Sequence, residues 1–315
     1  MIVVCESCNS RLKIDESRLT SSIKSFSVRC PSCRHTATVF LPEQVQDVAP
    51  AQAYESQNRA RAGTTIVITN QKGGVAKTST CLNLGLSLAL SEKRVLLIDF
   101  DVQANLTISM GYQNTTSFYN IMHSPDLELD SALIQTSYPG LWLLPSNKNM
   151  VLLSKKYFGK NDYEYILGKQ LASVKERFDY IIIDTPPSIE FFTINALTTS
   201  DLAIVPTQCD YLSTHGVGQV LNIIDLIRKK TNPRIKSRVL VTMYDEAATA
   251  SRMIFTKLNN LYPGQMYRAV IPRDERLREA QIMSMPVINY DQKSCSGLQY
   301  MALAREIIDG GLISQ

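Results

Sequence analysis

Two groups of residues in this 315-residue sequence have types and spacing that could do chemistry. The first is Lys72-Gly73-Gly74-Val75-Ala76-Lys77-Thr78-Ser79, set between the apolar run TIVIT (65–69) and the helical stretch CLNLGLSLALS. A strand that turns through glycines into a helix N-terminus can cradle phosphate. Successive backbone N–H groups curl round the oxygens, glycine permits close approach, and the helix dipole favours negative charge. In that frame Lys77 reaches the β- and γ-phosphates of a nucleotide and the Thr78 hydroxyl ligates Mg²⁺. The common G-x-x-x-x-G-K-[ST] pattern does not fit, because Gln71 and Ala76 stand where its glycines belong. The fit is to K-G-G-x-x-K-[ST], which carries a second lysine. A left-handed backbone at position 76 would disfavour alanine.

The second group is Cys5-x-x-Cys8 and Cys30-x-x-Cys33, two knuckles separated by 21 residues. Four thiolates at this spacing can close a tetrahedral Zn²⁺ site, with a β-hairpin or short ribbon between the knuckles. So small a region hardly folds without its metal, so the Zn²⁺ is expected to be structural. The region resembles the short zinc ribbons found at the N-termini of bacterial regulatory proteins. Cys81, Cys209 and Cys295 lack ligand spacing and are expected to be small buried residues. Pairing four of seven cysteines in a chain this long favours a reducing compartment over a disulfide scaffold.

The elements that must position these groups fall into three zones. Residues 1–42 hold the knuckles and are expected to form the zinc ribbon. Residues 43–63 have few large apolar residues and are expected to be a linker. Residues 64–315 alternate short apolar runs with stretches of helical period. The runs are TIVIT (65–69), VLLID (95–99), LWLLP (141–145), YIIID (180–184), LAIVP (202–206), VLVTM (239–243) and, more weakly, YRAVI (267–271). Strands rich in Ile, Val and Leu that alternate with helices predict an α/β fold. Its sheet is mostly parallel, with helices on both faces. The region 111–140 has no clear assignment. No apolar run is long enough to span a membrane, and the N-terminus lacks a secretory pattern, so a cytoplasmic protein is expected.

The order NQKGGVAKTS, VLLIDFDVQANLT, FDYIIIDTPPS, TINAL, IVPTQCDY, VTMYD, VIPRDERLREA and PVINYD runs through most of residues 64–309. This series resembles the ParA branch of the ParA/MinD family, the deviant Walker P-loop ATPases. The resemblance implies that Lys72 crosses to the partner's nucleotide in an ATP-sandwich homodimer. It implies that Asp101 orients or activates the attacking water, that Asp99 acts indirectly, and that Asp184 holds Mg²⁺. It places Pro272 and Arg273 near adenine, with Met243 on the other side of the base. No N-K-x-D guanine motif occurs at a strand end, which favours ATP over GTP. The nucleotide-binding set is then Lys72, Gly73, Gly74, Val75, Ala76, Lys77, Thr78, Ser79, Met243, Pro272 and Arg273, and Lys72, Lys77 and Asp101 are the catalytic residues.

The net charge of +4 conceals an uneven distribution. Residues 228–278 hold twelve Lys/Arg against four Asp/Glu, a surplus of +8, which leaves −4 for the rest. A concentrated surplus is the footprint of a polyanion surface. In the ParA branch this part binds DNA without reading its sequence, and Arg228, Lys229, Lys230, Arg252, Lys257 and Arg276 are the candidates here. The resemblance further implies a ParB-like or cargo-adaptor partner, slow turnover stimulated by it, and association with the nucleoid. The alternative is a MinD-like positioning ATPase on the membrane, for cell division or flagellar placement. It is disfavoured because Arg305 is the only cation after Lys293, too few for a basic amphipathic helix. A third reading makes the zinc ribbon a regulatory module and the ATPase fold a nucleotide sensor.

Overall fold

The structure, a computed structural model, describes residues 2–4, 11–13, 25–34, 36–40, 63–124, 126–211 and 213–310. It divides into two units, Met1–Arg59 and Ala60–Gln315. In the first, strand β1 (Ile2–Val4) pairs antiparallel with β2 (Arg11–Lys13), and β3 (Ser25–Arg29) pairs antiparallel with β4 (Thr36–Phe40). Cys30 and Cys33 thus fall in the connection between β3 and β4. Cys30 is buried at the end of β3 and Cys33 is exposed on the turn. There the Arg34 amide donates to the Cys30 carbonyl at 2.8 Å. Cys5, Cys8 and all of the expected linker except Gly63 lie outside the described residues. Among the described residues, no three His, Cys, Asp or Glu side chains gather into a metal site.

The second unit is built on one seven-stranded sheet. Its strands are β5 (Thr64–Ile68), β6 (Val95–Asp99), β7 (Ile134–Gln135), β8 (Leu141–Leu144), β9 (Tyr180–Asp184), β10 (Leu202–Thr207) and β11 (Lys236–Val241). The order is β11-β10-β5-β9-β6-β8-β7, parallel throughout except for the short antiparallel edge β7. The helices are α1 (Lys77–Leu90), α2 (Asn105–Ser109), α3 (Phe118–His123), α4 (Val151–Tyr157), α5 (Ile166–Leu171) and α6 (Phe191–Thr199). They continue with α7 (Ser213–Lys230), α8 (Thr249–Leu261), α9 (Glu275–Ile282), α10 (Val287–Tyr290) and α11 (Cys295–Gly310).

Continuous apolar strands are needed because both faces of the sheet are covered, and successive side chains point to opposite faces. Val67, Leu96, Ile98, Ile181 and Ile183 join one core with α3 to α8. Their neighbours Ile66, Ile68, Val95, Leu97 and Ile182 join the other with α1, α2 and α9 to α11. Each such side chain contributes about 1.5–3 kcal/mol by leaving water. α1 approaches the sheet closely at Gly85, where a Cβ would lie 2.5 Å from Leu97 Cδ2.

The weak seventh run, 267–271, is not a strand. It lies extended beside β11, with the Tyr267 amide donating to the Val239 carbonyl (3.0 Å) and the Ile271 amide to the Val241 carbonyl (2.9 Å). The unassigned 111–140 region holds α3, a 3-10 turn over Leu129–Ala132 and β7. Cys81 is buried as expected, but Cys209 is only half-buried and Cys295 is exposed at the start of α11. Because the central strands are parallel, the carboxyl ends of β5, β6, β9 and β10 converge on one edge, where a doubly wound sheet opens its binding crevice.

Candidate nucleotide-binding site

The loop from Thr69 to Lys77 is held at this edge by its own polar side chains. Asn70 donates to the Pro206 carbonyl at the end of β10 (2.8 Å) and accepts from the Lys72 amide (3.0 Å). Gly74 (φ +73°) and Ala76 (φ +64°) are both left-handed, the alternation that turns consecutive N–H groups inward. A Cβ on Gly73 or Gly74 would meet nothing within 4 Å, so the loop frames open space. Ala76 sits in the left-handed region that its sequence context disfavours, at a cost of about 1–2 kcal/mol. Thr242 donates to the Val75 carbonyl (3.2 Å) and pins the loop from the β11 side.

Lys77 is buried where α1 begins, and its Nζ donates back to the Lys72 carbonyl at 3.1 Å. Burial pulls its pKa below the usual lysine range, opposed by the charges of Asp184 and Asp101. An amine so placed is stabilised by anionic ligand oxygens. Lys72 stands half-exposed on the outer lip and is ion-paired with Asp210, which follows β10. Burial pushes the Asp210 carboxyl up, but hydrogen bonds from Lys72 and Ser213 outweigh this and hold it below the usual range.

Three carboxylates gather beside the loop. Asp184, at the end of β9, is fully buried, and its Oδ2 accepts from the Thr78 hydroxyl at 2.7 Å. Its Oδ1 is buried without a hydrogen-bond partner. Burial, then the charge of Asp99, drives its pKa well above the ordinary carboxylate value. An orphaned buried carboxylate oxygen beside a threonine hydroxyl fits Mg²⁺, a hard cation that takes oxygen ligands. Asp99 is also fully buried, and burial pushes it up to about 6. Both its oxygens are used: Oδ2 accepts from the Thr107 amide (2.8 Å) and hydroxyl (2.7 Å), and Oδ1 from the Asp101 amide (3.2 Å). Asp99 therefore shapes the loop that presents Asp101. That loop closes where Asp101 Oδ1 accepts from the Gln103 amide (3.0 Å) and the Asp101 carbonyl from the Ser146 hydroxyl (2.6 Å).

Met243 and Pro272 are brought side by side. The Tyr244 amide donates to the Ile271 carbonyl (3.0 Å), and the Arg273 amide returns a bond to the Tyr244 carbonyl (2.9 Å). Gln208 donates to the Gly74 carbonyl (2.7 Å) and to Met243 Sδ (3.1 Å), joining the phosphate loop to this second lobe. Asp274 caps α9 and also accepts from Ser294 and Ser296. Sequence reasoning missed Asn70, Ser146, Gln208 and Asp210, whose roles depend on partners far away along the chain, and Thr107, whose partner Asp99 lies eight residues back. Gln208 and Asp210 did carry one signal, their place just after a strand that ends at the crevice.

The basic segment is less uniform than its count. Arg238 is half-buried against Glu306 (3.1 Å) and over the Tyr267 ring (4.4 Å to its centre), so it serves packing. Arg228 pairs with Asp225, and Arg276 with Glu279 (2.8 Å) and Asp291 (3.6 Å). Asp225, Glu279, Asp291 and Glu306 lie outside residues 228–278, so part of the counted surplus is neutralised in space. Arg252 donates to the Glu246 (2.6 Å) and Ala247 (3.1 Å) carbonyls. Lys229, Lys230 and Lys257 are exposed and make no ion pair among the described residues.

A family model described as "AAA domain" matches residues 63–237. The sporulation initiation inhibitor protein Soj of Bacillus subtilis is 36% identical over 253 residues, which is 79% of this chain and all of that protein. The chromosome partitioning protein ParA of Caulobacter vibrioides is 34% identical over 249 residues, 77% of this chain and 93% of that one. Among solved structures, cobyrinic acid a,c-diamide synthase of Mycobacterium smegmatis with bound ADP and magnesium is 33% identical. It superposes with a TM-score of 0.68, covering 78% of this chain and 94% of that one.

Proposed function

We propose how the chain works from one premise: it belongs to the ParA/MinD family of P-loop ATPases and is a partitioning or positioning ATPase. ATP is the substrate, and Mg²⁺ held by Thr78 and Asp184 would offset the charge of the β- and γ-phosphates. In our reading the loop amides and Lys77 bind and orient those phosphates, while Asp101 positions the attacking water at the γ-phosphorus. Met243, Pro272 and Arg273 take the base.

Lys72 is the switch. It leaves Asp210 and reaches the nucleotide of a second copy, so the homodimer exists only while ATP is bound. The closed dimer holds non-specific DNA through Lys229, Lys230 and Lys257, with Arg228, Arg252 and Arg276 contributing less because local partners engage them. Hydrolysis, stimulated by a ParB-like or cargo-adaptor protein, returns the monomer and releases the nucleoid. The observation that most supports this reading is the division of labour between the lysines: Lys77 is buried and folded onto the loop, Lys72 half-exposed on its rim. Among the described residues no helix is long and apolar enough to cross a membrane.

In the first unit Cys5, Cys8, Cys30 and Cys33 would hold a structural Zn²⁺. Metal analysis of the purified chain tests this. The switch is tested by light scattering with Mg²⁺ and a slowly hydrolysed ATP analogue. The wild type should double in mass and Lys72→Ala should remain a monomer that still binds nucleotide. A Lys72→Ala dimer as stable as the wild type would overturn the cross-subunit role.

A further inference from the structure

The surface around α4 contains none of the residues assigned to the proposed cycle. Residues 131–161 contain no Asp or Glu, yet include Lys148, Lys155, Lys156 and Lys160. The local structure concentrates them. A 3-10 turn over Lys148–Met150 runs directly into α4, so positions 148, 151, 152, 155 and 156 follow the i, i+3, i+4, i+7, i+8 spacing of one helix face. The opposite face anchors the element: Met150 and Leu153 are fully buried against α3 and the sheet.

The outward face is neither purely polar nor screened. Lys148, Lys155 and Lys156 are exposed, and none of them forms an ion pair among the described residues. Between them Val151 and Leu152 are 41% and 44% accessible, and Phe158, just past the helix, is 49% accessible with its ring edge-on to Tyr163. Tyr157 turns inward, stacked on Phe191, and carries Lys156 over its ring at 5.0 Å. An aliphatic pair and an aromatic ring bracketed by unpaired lysines leave apolar area in water, and a complementary partner would recover it.

We propose that Lys148, Val151, Leu152, Lys155, Lys156 and Phe158 form a docking surface for an acidic amphipathic helix of a partner protein. The lysines select the charge of the occupant. The apolar residues select a protein, because a helix whose own i/i+4 apolar face is flanked by Asp and Glu can cover Val151, Leu152 and Phe158 while it pairs with the lysines. Duplex DNA offers phosphates but no complement for three exposed apolar side chains. A lipid surface needs a continuous apolar face, and here the apolar side of α4 is already spent on the core. The surface is independent of the phosphate loop, so occupancy need not compete with ATP.

The test uses the full chain and a fluorescein-labelled helical peptide of alternating Glu and Leu pairs, followed by anisotropy. A peptide with Leu replaced by Gln, phosphatidylglycerol vesicles and a random-sequence duplex are measured beside it. The proposal expects the Glu/Leu peptide to bind, Lys155→Glu/Lys156→Glu to weaken it at least tenfold, and Leu152→Ser to weaken it severalfold. ATP turnover should be unchanged in both variants, which shows that they fold. Hydrogen exchange should slow at 148–158 when the peptide is added. Equal binding to the charge-reversed variant, or equal binding of the Gln peptide, overturns it. So does loss of vesicle or duplex binding in Lys155→Glu/Lys156→Glu with the peptide unaffected, which would assign the surface to lipid or nucleic acid.

Discussion

The crevice at the carboxyl edge of the sheet and the basic segment over residues 228–278 were both read from residue types, and they differ in how residue type relates to role. At the crevice, backbone geometry restricts the residues: left-handed φ at Gly74, a buried lysine at the first position of α1, and a buried aspartate ending β9, with the left-handed Ala76 a strained exception. In the basic segment any of twelve cations could touch a polyanion, and the choice among them depends on which acid lies nearby in space. Geometry at the crevice is specific because few residues can satisfy it. Surface charge is degenerate because long side chains reach the same place from many positions.

The largest effect should come from the crevice. Asp101→Ala is expected to lower ATP turnover by about 100-fold or more, the usual size for a lost proton-handling or water-positioning group. Nucleotide affinity should be retained in a fluorescent-ATP titration. Normal turnover would remove Asp101 from the reaction and make the crevice as tolerant as the surface.

A smaller effect should divide the basic segment internally. Lys229→Glu/Lys230→Glu is expected to reduce the slope of log affinity against log salt for ATP-loaded protein on duplex DNA by about 2, roughly one per phosphate contact. Arg252→Ala should change that slope by less than the share of one lysine, since this side chain is engaged by the Glu246 and Ala247 carbonyls. Equal effects of the two substitutions would show that local pairing does not sort the cations.

The third effect is a pH dependence confined to the crevice. Folding raises the Asp99 carboxyl from an ordinary 3.8 to about 6, chiefly by burial. The folded state therefore holds this proton more tightly than the unfolded state, and the Asp99 contribution to stability improves as pH falls from about 7 through 6 towards 4. At 1.36 kcal/mol per pKa unit the contribution is at most about 3 kcal/mol. Urea unfolding of nucleotide-free protein at several pH values, compared with Asp99→Asn, isolates it. Identical pH profiles for the two would refute it.

The smallest effect concerns Ala76. Replacement by glycine relieves a left-handed alanine of about 1–2 kcal/mol and gives back part of that as chain entropy. Ala76→Gly should therefore raise stability by about 0.5–1 kcal/mol, read as a small increase in Tm. A decrease would mean that the loop tolerates alanine without strain.

Legibility along the chain followed the same division. The strands at 95–99 and 180–184 were readable to the residue, because fully buried parallel strands leave no polar interruption. The 267–271 run was misleading, since apolar residues over β11 satisfy burial without forming a ladder. Cys295 was expected to be buried and is exposed, because a lone cysteine carries no periodicity to place it. Asp99 and Asp101 are both acids two residues apart, and their different duties could not be told from type alone. Only the Thr107 amide and hydroxyl, eight residues on, occupy one and leave the other to the crevice.

The sequence by itself determined the phosphate loop, the α/β alternation and the strand-terminal aspartates, because these rest on local backbone geometry and short-range periodicity. Tertiary structure alone decided that Lys72 meets Asp210, that Gln208 joins the loop to Met243, and that Arg238 belongs to Glu306 and Tyr267. It also decided that the lysines of α4 stand beside exposed Val151 and Leu152 with no ion-pair partner among the described residues. Each of these depends on distances across the fold: charge and hydrogen bonding act through space, and chain order does not encode which surfaces the packing brings together.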